Sequence, residues 1–219
     1  MSVRTRLIAL GELMFRNRSW TPVPFLLVLV FCTFKEASRD VVTWVPGLLL
    51  LALGEGLRLW SVAVIGKKSR TRGSGVEQLV ASGPYAYVRN PLYLGNFFLT
   101  MGAVCISELL WALPIVFVLF VAQYGPIVLW EESILLTRFG ADYAAYCRRV
   151  PRWLPRWRPW GPATPRSAYH WLASLWSERS TFAALAGLLL LMLLKENVRH
   201  LPKYFQKHPM HFSSAHRIL

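Results

Sequence analysis

The residues best suited to chemistry lie in two short polar stretches. Arg89 and Asn90 stand among tyrosines in SGPYAYVRNPLYLG, residues 82–95, and the adjacent acids Glu131 and Glu132 enter the stretch WEESILLTRFGADYAAYCRRVPRWLP, residues 130–155. Both acids follow a long apolar run, so they sit near a hydrocarbon boundary, where an unpaired carboxylate is costly and a cationic partner is implied. Neighbouring helical positions point about 100° apart, so only one of the two acids is expected to face a given pocket. Taken singly, each residue also has a plain structural reading. Arg89 can snorkel to phosphate, the tyrosines can belong to an interfacial belt, and the two acids can be a solvated pair closing a helix. Those readings leave the co-occurrence of the residues unexplained.

The elements that must position these residues are membrane helices. The chain has 219 residues, of which 54% are hydrophobic, and ten are tryptophan; that share exceeds the usual soluble domain. Five apolar segments read as spans: about Trp20 to Phe34, Val41 to Ile65, Leu92 to Ile106, Leu109 to Trp130 and Phe182 to Leu194. A span needs roughly 20 apolar residues, so the first and last are short, and the last extends backwards only through the amphipathic WLASLWSERS. The tight SELL turn at 107–110 joins the third and fourth spans as an antiparallel hairpin. Gly83 and Pro84 mark a turn before it, and Pro91 is placed to start its first helix. Gly140 reads as a helix stop, with Asp142 as N-cap of a short helix carrying Tyr143 and Tyr146.

Net charge is +14, which fits nucleic acid, an anionic surface or the positive-inside bias of an integral protein; the apolar runs decide for the last. GKKSRTRG after the second span and CRRVPRWLPRWR after the fourth are basic, which puts both loops on the cytoplasmic side. The basic N-terminal stretch reads as an amphipathic helix along that interface, with Leu7, Ile8, Leu10, Leu13, Met14 and Phe15 on one side, and not as a secretory signal. Cys32, Cys105 and Cys147 are few and far apart, so neither a disulfide framework nor a metal site is suggested. The tail histidines His200, His208, His211 and His216 lack supporting ligands at metal spacing. Glu55 and Arg58 are three apart and read as a pair on one side of the second span. The Pro, Trp and Arg stretch 151–165 suits an interfacial belt.

The two-part pattern LVASGPYAYVRNPLYLGN and EESILLTRFGADYAAYCRRVPRWLP, separated by a helical hairpin, resembles the superfamily of isoprenylcysteine carboxyl methyltransferases and phospholipid methyltransferases. The resemblance covers about Arg70 to Pro155. It implies S-adenosyl-L-methionine as cofactor, bound by the loop before the hairpin, the start of its first helix and the end of its second, with a lipid-like acceptor entering from the bilayer. Carried onto this sequence, the implied cofactor contacts are Gln78, Leu79, Val80, Tyr85, Asn90, Pro91, Tyr93 and Glu131. Arg89 and Glu132 match the motif as well and are the implied catalytic residues. Two positions depart from the pattern. Asn90 stands where many relatives have histidine, so that side chain can hydrogen-bond but cannot titrate near neutrality. Ile127 stands where members acting on prenylcysteine place an arginine for the substrate carboxylate.

Residue chemistry agrees with such a cofactor. It needs a carboxylate for its cations, a guanidinium or backbone N–H for its anion, and aromatic or amide groups for adenosine. On this reading Glu131 takes the ammonium and Arg89 supports the cofactor carboxylate or an acidic headgroup. Should the acceptor need a base, Glu132 and Tyr93 are the candidates, because His170 is the first histidine in the chain. The expected fold is an all-α membrane protein with about five transmembrane or membrane-embedded helices, a helical hairpin and cytoplasmic cofactor-binding loops. Its expected organisation is an interfacial helix and two spans over 1–66, a methyltransferase core over 67–165, and a membrane-associated helix with a basic tail over 166–219. The expected function is methyl transfer to a lipid or membrane-partitioned carboxylate, amine or thiol, with neither nucleic acid nor metal involved. The rivals are an NADPH-dependent membrane enone or sterol reductase, whose C-terminal helical core is similar, and a non-catalytic protein holding anionic lipid.

Overall fold

A computed structural model describes residues 2–18, 20, 22–34, 40–65, 79–161 and 169–207. Among these there are six α-helices and no strand: α1 Val3–Asn17, α2 Pro22–Phe31, α3 Asp40–Ile65, α4 Pro91–Ile106, α5 Leu113–Arg149 and α6 Trp171–Lys207. A 3₁₀ turn at Gly83–Ala86 precedes α4, and another at Leu110–Ala112 leads into α5.

Among the described residues, three segments are long and apolar enough to cross a membrane: Val41–Ile65, Leu110–Arg149 and Trp171–Val198. The second span is therefore found where expected. The fifth is longer than its apolar centre, because the amphipathic WLASLWSERS continues it as one helix. The other two are shorter. α4 has 16 residues, and α2 has only ten, too few to span by itself. Lys195 of α6 caps the end of α2 by donating to the carbonyls of Cys32 at 2.9 Å and Leu29 at 3.4 Å, which meets the need of a terminal turn for outside donors.

α3 and α4 cross antiparallel with their backbones nearly touching. A Cβ on Gly54 would lie 2.8 Å from the Gly95 carbonyl oxygen, and one on Gly102 would lie 2.8 Å from that of Gly47. Small residues seven apart on both helices thus replace side-chain interlocking with direct backbone approach, the usual device where lipid removes the hydrophobic drive for helix association. The expected hairpin of α4 and α5 is present. Ser107 caps α4, Glu108 turns the chain at φ 65°, and α5 begins at Leu113. Aromatic pairs zip the hairpin antiparallel, Tyr93 on Tyr124 at 5.0 Å and Phe97 on Phe120 at 5.3 Å. Gly140, at φ 48° and ψ −118°, interrupts α5 as a stop signal should, and the chain resumes helix at once to bury Tyr143 and Tyr146.

α1 departs from the purely interfacial helix expected. Gly11 lets it close onto α5, where a Cβ would collide with the Pro126 carbonyl, and Phe15 packs on Trp130 at 4.7 Å between centroids. Leu10 and Leu13, expected on the apolar side with Phe15, are exposed. The packed face is the narrower stripe of Gly11 and Phe15, one turn apart. Side chains such as Phe31, Leu49, Phe117, Val118 and Leu190 also remain exposed on the helix exteriors, as lipid-facing surfaces do.

Candidate functional site

The C-terminal end of α3, the start of α4, the second half of α5 and the first turns of α6 meet around one cavity of about 540 Å³, within the usual range for small-molecule sites of roughly 300–1,000 Å³. Its wall includes Leu79, Val80, Tyr85, Arg89, Asn90, Pro91, Tyr93, Glu131 and Glu132. Every candidate residue inside the described chain is therefore gathered at one place; Gln78 lies outside the described residues, as do the basic loop 66–78 and the histidines from His208 onward.

The loop before α4 is held by the segment after α5. Arg89 N donates to the Pro151 carbonyl at 2.9 Å, Arg156 N to Tyr87 at 3.0 Å and Trp160 N to Ala86 at 3.0 Å. The Asn90 amide donates to the Arg152 carbonyl at 3.1 Å, and the Tyr146 hydroxyl to the Tyr85 carbonyl at 2.8 Å. The stretch read as an interfacial belt is thus also a strap that shapes the pocket. Trp157 and Leu154 keep the exposure a belt requires, while Trp160 packs against Tyr146 at 5.8 Å.

The two acids divide their roles, although both line the cavity, so the expectation that only one would face it needs correcting. They sit where α5 is enclosed by the strap and by α4, so two adjoining sides of the helix face interior space. Glu132 is tied into an ionic triad: Arg152 grips it with Nε at 2.8 Å and Nη2 at 2.6 Å, and Arg89 Nη1 lies 3.0 Å from Oε1, the oxygen that takes the Nε bond. That fork holds the Arg152 guanidinium above its usual range, the hydrogen bond to Glu132 being the main cause. Arg89 Nη1 also reaches Cys147 Sγ at 2.9 Å. Glu131 makes no ion pair among the described residues; the Tyr93 phenol lies beside its carboxylate. Among the described residues, Tyr85 is buried against Ser61 with no regular hydrogen bond to its hydroxyl, and Arg89 Nε is likewise buried without a partner. Burial pushes the Tyr85 phenol well above its ordinary range, so it stays protonated and able to donate.

Family membership follows from comparison with known proteins. Residues 42–142 match the phospholipid methyltransferase family. The cobalt-zinc-cadmium resistance protein CzcN of Cupriavidus metallidurans is 35% identical over 157 residues, 68% of each chain. The chain belongs to the superfamily of isoprenylcysteine and phospholipid methyltransferases. The nickel-cobalt-cadmium resistance protein NccN of Alcaligenes xylosoxydans xylosoxydans is 32% identical over 143 residues, 63% of each chain, and the mouse protein-S-isoprenylcysteine O-methyltransferase is 33% identical over 124 residues, 52% of this chain and 42% of the mouse enzyme. No solved structure matches. The matched family is one of methyltransferases, and the three long apolar helices of this chain make it an integral membrane protein. Membership favours methyl transfer over the reductase alternative.

This methyltransferase also builds its cavity from side chains outside the matched region. Phe15 and Arg18 come from α1, and Glu178, Ser180 and Thr181 from α6. Arg58 of α3 ties in the α6 residues. It pairs with Glu178, donates to Asn96, reaches the Thr181 hydroxyl at 3.3 Å and keeps Glu55 within 3.6 Å. The pairing of Glu55 with Arg58 is present, but Glu178, 120 positions along the chain, is the closer partner. Asn96 and Tyr124, hydrogen-bonded at 3.3 Å, complete this polar end. A polar residue inside an apolar span is itself a sign of function or pairing, so Asn96 and Glu178 were visible as types, though nothing local joins them to Arg58.

Proposed function

We propose that this chain transfers a methyl group from S-adenosyl-L-methionine to a lipid or another membrane-partitioned acceptor, through a carboxylate, amine or thiol of that acceptor. The observation that carries the reading is the wall of the cavity itself: among the described residues it holds one acid without an ion pair, Glu131, beside phenols and an indole, with the buried Tyr85 hydroxyl left unbonded. That donor set fits the group. Glu131 suits its ammonium, the rings of Tyr93, Tyr124 and Trp130 suit a sulfonium, and Tyr85 and Asn90 offer hydrogen bonds to adenosine. The chemistry supplied on binding is an activated methyl carried on a sulfonium.

The protein's own part is placement and dryness. In-line displacement gains most from fixed geometry and exclusion of water. Glu132, saturated by Arg152 and Arg89, is better suited to fixing the strap to α5 than to accepting a proton, and Arg89 serves with it as a positioning residue. Tyr93 orients Glu131. A carboxylate acceptor then needs no base, whereas an amine needs one, and the cavity holds no histidine among its described residues. The arginines at the end of α5 and in the strap, from Arg148 to Arg158, flank the site, which supports a cytoplasmic location by the positive-inside bias. Incubating the purified protein and a total lipid extract with methyl-labelled donor tests the reading. Label recovered in the organic phase supports it; label confined to water at every protein concentration overturns it.

A further inference from the structure

Among the described residues the cavity has three cations in its wall, and two are spent. Arg58 is neutralised by Glu178 and Glu55, and Arg89 by Glu132, which Arg152 also holds. Arg18, at the C-terminal end of α1, differs. Its guanidinium lies 3.7 Å from the Phe15 ring centroid, and Nη1 donates to the Phe15 carbonyl at 3.0 Å. Among the described residues it has no carboxylate within ion-pair distance, because Glu12, the acid on its own helix, is taken by Arg16 at 2.6 Å. The stack and the carbonyl fix the group in place while leaving the rest of the guanidinium fork unused.

Arg18 acts electrostatically on Glu131, Tyr93 and Tyr124, yet no Arg18–Glu131 ion pair closes. One unspent cation and one unspent acid thus face a shared space. The ligand that complements such a pair carries an anion and a cation on neighbouring atoms, which is the description of an α-amino acid zwitterion. We propose that Arg18 binds the α-carboxylate of the methyl donor while Glu131 holds its ammonium. This rests on the donor assigned above. It moves the carboxylate contact from Arg89, which is occupied, to a helix outside the matched family region.

The test compares two ligands on each of three proteins in detergent: S-adenosylmethionine and its decarboxylated analogue, by calorimetry on wild type, Arg18→Gln and Arg18→Lys. A lost charge-assisted hydrogen bond corresponds to about 10- to 100-fold in affinity. Wild type is expected to prefer the carboxylate-bearing donor by that factor. Arg18→Gln is expected to lose the preference through weaker binding of the intact donor alone, and Arg18→Lys to keep part of it. The ratio is taken within one protein, so general loosening of α1 does not produce this result. Arg16→Gln, an exposed neighbour, is expected to keep the full preference. An undiminished preference in Arg18→Gln overturns the assignment, as does a change only in the acceptor KM. Failure of wild type to bind the donor overturns the donor reading and this assignment together.

Discussion

Arg58 holds α3 to α6 through a buried ion pair, and its removal has a cost that the structure ranks in advance. Its side chain is 16% exposed and that of Glu178 is 3% exposed, so both charges are largely out of water. Losing one partner of a buried pair costs roughly 3–5 kcal/mol, because the other is stranded. Arg58→Leu strands both Glu178 and Glu55, and also removes a donor from Asn96 and Thr181. Glu178→Leu leaves Arg58 with Glu55 at 3.6 Å as a fallback. Arg58→Leu is therefore expected to be the more damaging, and the double variant Arg58→Leu/Glu178→Leu less damaging than the sum of the singles. For a chain of this size about 3–5 kcal/mol corresponds to a fall of roughly 6–20 °C in Tm. Thermal unfolding followed by tryptophan fluorescence in one detergent reads all three variants. Additive losses, or Glu178→Leu falling further than Arg58→Leu, would refute the pairing.

Three other outcomes are expected. Gly54→Ala and Gly95→Ala, each forcing a Cβ to within 2.8 Å of a facing carbonyl, should each destabilise by about 1–3 kcal/mol, whereas Gly56→Ala, with open space around it, should be neutral or stabilise by up to about 1 kcal/mol; the same thermal assay separates them. Glu131→Ala should weaken donor binding by at least about 10-fold without lowering Tm, since no ion pair is broken, and unchanged calorimetric affinity would contradict its assigned role. Glu132→Gln should release the strap by weakening its fork with Arg152, seen as faster hydrogen exchange of the Arg89, Arg156 and Trp160 amides, whose bonds span the two segments; unaltered exchange there would separate the triad from the strap.

Local signals and distant ones were not equally legible. The span over α3, the SELL turn and the Gly140 break are written in runs and single residues, and the structure has each where its local chemistry puts it. The candidate residues from Leu79 to Glu132 share one cavity because turn, proline-initiated helix and hairpin are themselves local devices. Arg58 with Glu178 belongs to another class. Each charge alone reads as an ordinary interfacial or paired residue, and only the packing of α6 on α3, anchored by Ser174 donating to the Leu59 carbonyl at 2.7 Å, brings them together. α1 shows the same limit. Its amphipathic pattern was visible, but the turn that buries was decided by one glycine meeting the Pro126 carbonyl. The double use of Glu131 and Glu132 escaped the helical-wheel argument for a similar reason, since the strap that encloses the second side of α5 starts only after Arg149.

The central claim is that this cavity holds a sulfonium methyl donor in a membrane methyltransferase. Calorimetric titration of the detergent-purified chain with S-adenosylmethionine, its demethylated product and NADPH tests it most directly. Saturable binding of the first two, with none of NADPH, is the predicted result; saturable binding of NADPH alone, or of none of the three, would contradict it.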